Sequence, residues 1–409
     1  MSKWEWKKLG EVCEIHGRIG WQGLTRKEYR SSGDYLLITG INFTDNNTVD
    51  YESCVYVDKE RYVQDQYIQV RENDLLITKD GTLGKLALIA EMPPKPATLN
   101  GGLFVIRNPD NKIYPKFLMY VMKSEPFRKM IRKSITGSTV PHLTQNMLVN
   151  FPIPIPSLSE QRSIVKQLDE KLIKIEKIKT NAETNLKNAK ELFESTLEKE
   201  LNPGKNGELP SGWEWEKLGD LFKMVRGPFG GSLKKECFKK EGHPVYEQQN
   251  AIYSKFGFRY FIDDKKFEEM SRFRVEPGDF IMSCSGTMGK VAIVPPESPV
   301  GIINQALLKM SLQKGIISTY AKYYMMNSSF VDSLLKNAQG VAIKNVAAVK
   351  ELKLIPFALP PLSVQKEIVA RLDKLSEDVK RLEVNYKQII ANCDELKKSI
   401  LKKTFEGES

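Results

Sequence analysis

The clearest hydrophobic pattern lies at the end of the chain. Over residues 363–405, Ile368, Leu375, Leu382, Ile389 and Leu396 recur every seven positions. Leu372, Val379, Tyr386, Cys393 and Ile400 form a second column between them. Charged and amide side chains fill most other positions, and neither Pro nor Gly interrupts. A narrow apolar seam on a long helix predicts a coiled coil, running roughly 60 Å at 1.5 Å per residue. Residues 159–201 repeat the pattern 204 positions earlier (368 − 164 = 204). There the seam is poorer: Ile164, Leu168, Ile175, Ile178 and Leu192 hold it, with Lys171, Asn185, Ala182, Ala189 and Thr196 between, and Val165, Leu172, Leu186 and Phe193 add a flanking stripe. We expect the two helices to pair within the chain; docking of each on its own globular domain, or on another chain, is the alternative. Prolines 152, 154 and 156, then 356, 360 and 361, force extended approaches to the two helices, with Ser159 and Ser363 as expected N-caps.

Ahead of each helix lie short apolar runs bounded by Gly, Asn or Asp. Residues 35–39, 74–78, 86–89 and 103–106 read as strands, and residues 279–283, 291–294 and 306–310 match them in the second half. Residues 115–132 and 318–337 have helical spacing, with Pro115 suited to a first turn.

These likenesses are part of an internal repeat. Trp4-Glu-Trp-Lys-Lys-Leu-Gly10 returns as Trp213-Glu-Trp-Glu-Lys-Leu-Gly219, Asp80-Gly-Thr-Leu-Gly-Lys85 as Ser285-Gly-Thr-Met-Gly-Lys290, and Asn100-Gly-Gly-Leu103 as Asn304-Gln-Ala-Leu307. Pro156-Ser-Leu-Ser-Glu-Gln161 returns as Pro360-Pro-Leu-Ser-Val-Gln365, and Ile164-Val-Lys-Gln-Leu-Asp169 as Ile368-Val-Ala-Arg-Leu-Asp373. The offset drifts only from 209 to 204 across these blocks (213 − 4 = 209; 368 − 164 = 204). The expected architecture is α+β and duplicated. Residues 1–157 form a first mixed α/β domain, 158–201 a first long helix, 202–361 a linker and second domain, and 362–409 a second long helix and tail. Residues 202–212 reach at most about 37 Å, less than the preceding helix. The second domain is therefore expected at that helix's far end, with the second helix running back antiparallel: two globular domains at opposite ends of a two-helix coiled coil, pseudo-two-fold symmetric.

Charge narrows the partner. The 409 residues carry a formal net charge of +11, which favours an anionic partner, duplex nucleic acid before an acidic membrane. Five widely spaced cysteines suggest neither disulfides nor zinc, and fit a reduced cytoplasmic chain. The start of the chain has no apolar export segment, and no apolar run is long enough to span a membrane. Three histidines, His16, His142 and His243, have no metal-ligand spacing. No catalytic or metal site is expected. The Gly-Thr-x-Gly-Lys turns lack Walker A spacing and its Ser/Thr. They fit a turn aimed at a DNA phosphate, or a bare hairpin turn.

Residue types that read base edges or phosphates cluster near these turns. In the first half they are Arg18, Gln22, Asn42, Lys79, Thr82, Lys85, Asn100, Ser138, Thr139 and His142. In the second they are Arg226, Gln248, Gln249, Asn250, Ser283, Ser285, Thr287, Lys290, Asn304, Gln305 and Lys344. Trp4, Trp6, Trp213 and Trp215 read as packing residues.

Taken together, Leu209-Pro-Ser-Gly-Trp-Glu-Trp-Glu-Lys-Leu-Gly219, the two Gly-Thr-x-Gly-Lys turns, Asn304-Gln305, Leu158-Ser-Glu-Gln161, Leu362-Ser-Val-Gln365 and the seams after them resemble the specificity subunits of type I restriction–modification systems, over essentially the whole chain. The first copy has Gly101 where the second has Gln305. The resemblance implies two target-recognition domains, each reading one half of a split, asymmetric duplex DNA site. It implies that the helices set the spacer and dock two modification subunits, with restriction motor–nuclease subunits joining them. S-adenosylmethionine, ATP and Mg2+ would then belong to the partners, and this chain would hold no cofactor. A nucleotide-binding enzyme built on the Gly-Thr-x-Gly-Lys turns, and a coiled-coil scaffold without a nucleic-acid role, are the alternatives.

Overall fold

The computed structural model describes residues 4–20, 23–136, 142–201, 209–313, 315–335 and 348–406. The chain divides into two compact units, residues 1–182 with 388–409, and residues 183–387. Both follow one plan.

In unit 1 the central sheet is antiparallel, in the order Glu14–Gly17, Leu103–Arg107, Leu75–Thr78, Leu86–Leu88. Its inner strands, Leu103–Arg107 and Leu75–Thr78, are buried on both faces, with side chains alternating between them. Leu75, Ile77, Phe104 and Ile106 join a core with the helices Pro115–Val121 and Glu125–Thr136. Leu76, Leu103 and Val105 face the other way, into a second core with Leu36, Ile38 and Leu99. Those three belong to a smaller sheet, Val55–Val57, Tyr35–Ile38, Ala97–Leu99, whose last two strands run parallel. Helices, four-stranded sheet and three-stranded sheet thus stack as layers.

Unit 2 repeats the arrangement. The order Phe222–Arg226, Leu307–Leu312, Phe280–Ser283, Val291–Ile293 forms the central sheet. Phe280 and Met282 face the helices, and Ile281 and Leu307 face a sheet in which His243–Tyr246 runs parallel to Gly301–Ile303.

Each single helix expected from spacing is two. Pro115–Val121 and Glu125–Thr136 are separated at Met122–Ser124, where buried Ser124 donates its hydroxyl back to Val121 O. Ser318–Met326 and Ser328–Leu335 are separated at Asn327, whose Oδ1 caps Phe330 N at 2.8 Å. A side chain that bonds its own backbone competes with the helical ladder and breaks it. The Pro-rich approaches are strands: Pro152–Ile155 pairs with Glu5–Lys8, and Pro356–Leu359 with Glu214–Lys217. In these two-stranded ribbons the prolines' missing N–H groups are tolerated at an edge. Trp4 and Trp213 pack on the cores as expected, but Trp6 and Trp215 stand about half exposed.

The long helices span Leu158–Leu201 and Leu362–Glu406. Each starts one residue before the expected serine. Ser157, not Ser159, caps the first, its Oγ accepting from Glu160 N, while Pro361, not Ser363, precedes the second. Pairing is antiparallel. Within unit 1, Lys179 binds Asp394 at 2.7 Å and Lys397 pairs with Glu176. Within unit 2, Arg371 binds Glu200 at 2.7 Å, and Leu197 and Leu201 share a core with Ile368 and Leu372.

One column of the expected seam is largely buried, with Thr196, Tyr386 and Ile400 partly so. Leu168, Ile175, Ala182 and Ala189 are buried, as are Leu372, Val379 and Cys393. The other column is displaced by one residue. Ile178, Leu192, Leu382, Ile389 and Leu396 are 36–54 % exposed, and Leu375 is only partly buried. Ile164 and Ile368 pack on the domain cores, where the helices emerge. In the first helix the flanking stripe of Val165, Leu172, Leu186 and Phe193 turns inward instead. That stripe carries more apolar volume than Ile164, Lys171, Ile178, Asn185 and Leu192, so rotating the helix by one residue buries more.

Candidate DNA-reading faces

Four connections meet at one edge of each unit's layers, and hydrogen bonds hold them together. In unit 1, Asn100 N donates to Ile38 O (3.0 Å), Lys79 N to Gly102 O (2.9 Å), and Leu143 N to Lys79 O (3.1 Å). In unit 2, Asn304 N donates to Tyr246 O (3.0 Å), Cys284 N to Ala306 O (2.9 Å), and Gly227 N to Leu307 O (2.8 Å).

The Gly-Thr-x-Gly-Lys turn is the same device in both. The Thr78 hydroxyl donates to Thr82 O (2.5 Å) and accepts from Lys85 N (2.9 Å). The Ser283 hydroxyl donates to Thr287 O (2.6 Å) and accepts from Lys290 N (3.0 Å). Gly81 and Gly84, like Gly286 and Gly289, have φ of +63° to +77°, a region that a side chain disfavours. Thr82, Lys85, Thr287 and Lys290 are exposed on these turns.

Several expected readers are instead braces. Asn42, 2 % exposed, accepts from Thr39 N (2.8 Å) and donates to Ser53 O (3.0 Å). Asn250, 1 % exposed, accepts from Glu247 N and donates to Lys255 O. A short polar side chain after a strand satisfies its own loop before it satisfies a ligand. Ser283 is buried in its turn. Buried Arg18 donates to Leu99 O (3.0 Å) and Thr98 Oγ1 (3.2 Å), and burial lowers its pKa. Gln248 reaches Ser285 Oγ (2.6 Å) and Ser285 O (2.9 Å). Asn100 and Asn304 each accept from the backbone two residues on.

The remaining candidates divide between two sides of the turn. Lys79, with its ammonium 4.7 Å from the Phe104 ring centroid, and His142, whose Nδ1 lies 2.5 Å from Asp80 Oδ1, line a hollow of about 530 Å³ that Arg18 also borders. Lys85 lines a separate hollow of about 410 Å³ with Asn47, Lys123 and Arg128. There burial, then Arg128, Lys116 and Lys397, lowers the Lys123 pKa to about 8. Lys290 lines the corresponding hollow of unit 2 with Ser254 and Lys322. Ser285 and Gln249 are partly exposed and Gln305 is exposed, while Arg226 ends its strand beside Leu308. Gln22, Ser138, Thr139 and Lys344, and linker residues 202–208, lie outside the described residues.

Sequence reading missed two kinds of residue. Gln161 and Gln365, both 0 % exposed, tie each long helix to its domain. Gln161 accepts from Tyr114 N (2.7 Å) and donates to Pro156 O (2.8 Å), and Gln365 accepts from Ile317 N (2.8 Å) and donates to Pro360 O (2.8 Å). Tyr120 with Asp169 (2.5 Å) and Tyr323 with Asp373 (2.6 Å) complete this joint. The recurrence of Gln161 as Gln365 was the available signal. Ile41 and Phe229 are the other kind, apolar side chains about 90 % exposed (90 % and 92 %) beside these faces. A search for polar readers passes over them.

The repeated frame has a counterpart among known proteins. A family described as the type I restriction modification DNA specificity domain matches residues 1–186 and again 210–390. The chain belongs to that family. It carries two such specificity domains in tandem, and its role is DNA sequence specificity. Among relatives of the family, a putative type I restriction enzyme MjaX specificity subunit from Methanocaldococcus jannaschii is 24 % identical over 93 % of this chain and 89 % of that protein. The type I restriction enzyme EcoKI specificity subunit of Escherichia coli is 22 % identical over 95 % of this chain and 86 % of that one. The same fold occurs in a chain solved for the complex assembly and conformational transition of the type I R-M system (TM-score 0.77, 22 % identity, 99 % of this chain and 98 % of that one). It occurs also in the HsdS subunit from Thermoanaerobacter tengcongensis (TM-score 0.60, 21 % identity, 100 % and 98 %). Among the described residues no cluster of metal-binding side chains occurs, and no helix is long and apolar enough to cross a membrane.

Proposed function

We propose that this specificity subunit reads a two-part asymmetric duplex site, one half with each unit, and contributes no catalytic group of its own. The observation that carries the reading is one frame built twice with different exposed tips. Thr78 and Ser283, Asn42 and Asn250, and Asn100 and Asn304 hold the same backbone bonds. Meanwhile Ile41 stands where Gln249 does, Asp80 where Ser285 does, and Gly101 where Gln305 does. Equal frames place their tips alike, and unlike tips read unlike bases. Exposed Lys85 and Lys290 supply charge for phosphates, and the net +11 supports long-range attraction to DNA.

On this reading two modification subunits dock on the paired helices and use S-adenosylmethionine to methylate adenine N6. Restriction subunits join with ATP and Mg2+, and the complex works in the cytoplasm. Methylation mapping in cells carrying the chain with its modification subunits tests it. A split asymmetric motif that vanishes when this chain is deleted is expected; methylation that ignores its loss refutes the proposal. Four residues inserted into the helix after Lys179 add about 6 Å. Methylation that survives should then favour a spacer longer by about two base pairs, and an unchanged spacer refutes the ruler role.

A further inference from the structure

Among the described residues the most exposed large apolar side chains are Phe229, 92 % exposed, and Ile41, 90 % exposed. Scattered surface apolar residues need no explanation. These two differ because there is one per unit, each on a loop of the candidate reading face, and because the backbone beneath each is tightly held.

Ile41 sits between braced neighbours. Asn42 is bonded to Thr39 and Ser53, and a Cβ on Gly40 would come within 2.9 Å of Thr78 Cγ2, at the foot of the Gly-Thr-x-Gly-Lys turn. Phe229 follows Gly227, whose N–H donates to Leu307 O and whose added Cβ would lie 1.9 Å from Asn304 O. Phe229 O in turn accepts from Ser232 N at 2.9 Å. Both side chains are therefore presented on fixed backbone, not on slack loops, and ordering them on a ligand costs little further entropy.

We infer that Ile41 and Phe229 are specificity residues that each pack on the C5-methyl of a thymine in the major groove, one in each half-site. The groove offers one apolar group that distinguishes a base, the thymine methyl, and aliphatic or aromatic side chains recognise it by contact. An exposed polar tip would serve any other base edge better, as Gln249 can at the position matching Ile41. Exposed Thr82 and Gln305 offer hydrogen-bonding groups on the same two faces. The inference rests on the two-half reading proposed above.

Deoxyuridine tests it, because it removes the methyl and leaves the hydrogen-bonding edge intact. The complex of this chain with its modification subunits is bound to its mapped duplex, and each thymine is replaced in turn. We expect one position in each half where the swap weakens binding about threefold to tenfold, the range of one lost methyl contact. Ile41→Ala should abolish that sensitivity in one half only, Phe229→Ala in the other, and Ile41→Val should keep most of it. Exposure of both side chains leaves folding of the variants unaffected, which a melting curve verifies. Selective binding with no uracil-sensitive position, or sensitivity that survives both alanine variants, overturns the inference while leaving the two-half reading intact. Binding that shows no preference for the mapped duplex would instead overturn that reading and this inference with it.

Discussion

The glutamine that recurs at the head of each long helix should carry a large share of local stability, and Gln365→Leu isolates it. Leu has nearly the same volume, so no cavity opens. What changes is hydrogen bonding: Ile317 N–H loses an acceptor at 2.8 Å and Pro360 C=O a donor at 2.8 Å, while the 3.4 Å contact to Gly315 O is weak and that residue is exposed. Each buried polar group left unpaired costs about 1–3 kcal/mol, so the pair amounts to roughly 2–6 kcal/mol. Domains are stable by only about 5–15 kcal/mol. With a urea slope of about 1–3 kcal/mol per molar, the midpoint should fall by roughly 1 M or more. Hydrogen exchange should locate the loss: amides at 316–320 and the first turn after Leu362 should lose protection, and those of residues 75–78 should not. Gln161→Leu is the mirror experiment, with the loss moved to Tyr114 and unit 1. A midpoint within error of the parent chain, or a loss of protection spread evenly through unit 2, would refute the idea that this side chain is the joint.

Gly84→Ala and Gly289→Ala force a side chain into φ of +77° and +73°, and each should cost about 1–2 kcal/mol by thermal melting and weaken DNA binding. Lys123→Met should stabilise unit 1 by on the order of 2 kcal/mol, since Met326 already stands at the matching place in unit 2. The sign follows from linkage. The folded pKa of about 8 lies below the unfolded value, so the burial penalty is present below pH 8 and relieved as pH rises toward the unfolded pKa. Stability against pH from 8 to 10 should therefore rise less steeply in the variant than in the parent, and an unchanged slope would exclude Lys123 as its source. Ile175→Ala should cost about 2–5 kcal/mol, whereas Ile178→Ala, three residues on, should stay within about 0.5 kcal/mol; equal costs in urea titrations would put the seam back where periodicity alone placed it.

Much of the fold was legible because short apolar runs such as residues 75–78 and 280–283 are buried on both faces and have no competing use. The helix seam was half legible. Heptad spacing permits two neighbouring columns, and Ile178 and Leu192 look as good as Lys179 and Phe193 until the summed volume along the helix is compared. The domain-building ribbon of Glu5–Lys8 with Pro152–Ile155 was not legible, since its partners lie far apart in sequence and prolines read only as an extended lead-in. For the site, composition identified the right loops but not the right atoms. Asn42 and Asn250 have the chemistry of base readers, yet a carboxamide next to a strand end finds unsatisfied N–H groups of its own loop first. Ile41 was not among the candidates at all, because an apolar side chain has none of the hydrogen-bonding chemistry of a base reader, and only its 90 % exposure draws notice to it.

Holding the backbone with one set of side chains and facing solvent with another has a consequence for divergence. Because Thr78 and Ser283, Asn42 and Asn250, and Gln161 and Gln365 satisfy the frame internally, the tips make almost no contribution to folding. Ile41 is exposed, and Gln249 offers only a 3.3 Å contact to its neighbour Glu247. Surface substitutions away from such braces change stability by about 0.5 kcal/mol or less. The reciprocal exchange Ile41→Gln with Gln249→Ile should therefore leave the melting temperature within about a degree or two, while the motif found by methylation mapping changes at one position in each half. Exchange of the braces Thr78→Val and Ser283→Ala should do the reverse, lowering stability without a defined change of motif. A doubly exchanged chain that unfolds, or one that stays folded and methylates the parental motif, would mean that frame and tips are not separable and that the two copies did not diverge by changing tips on a fixed support.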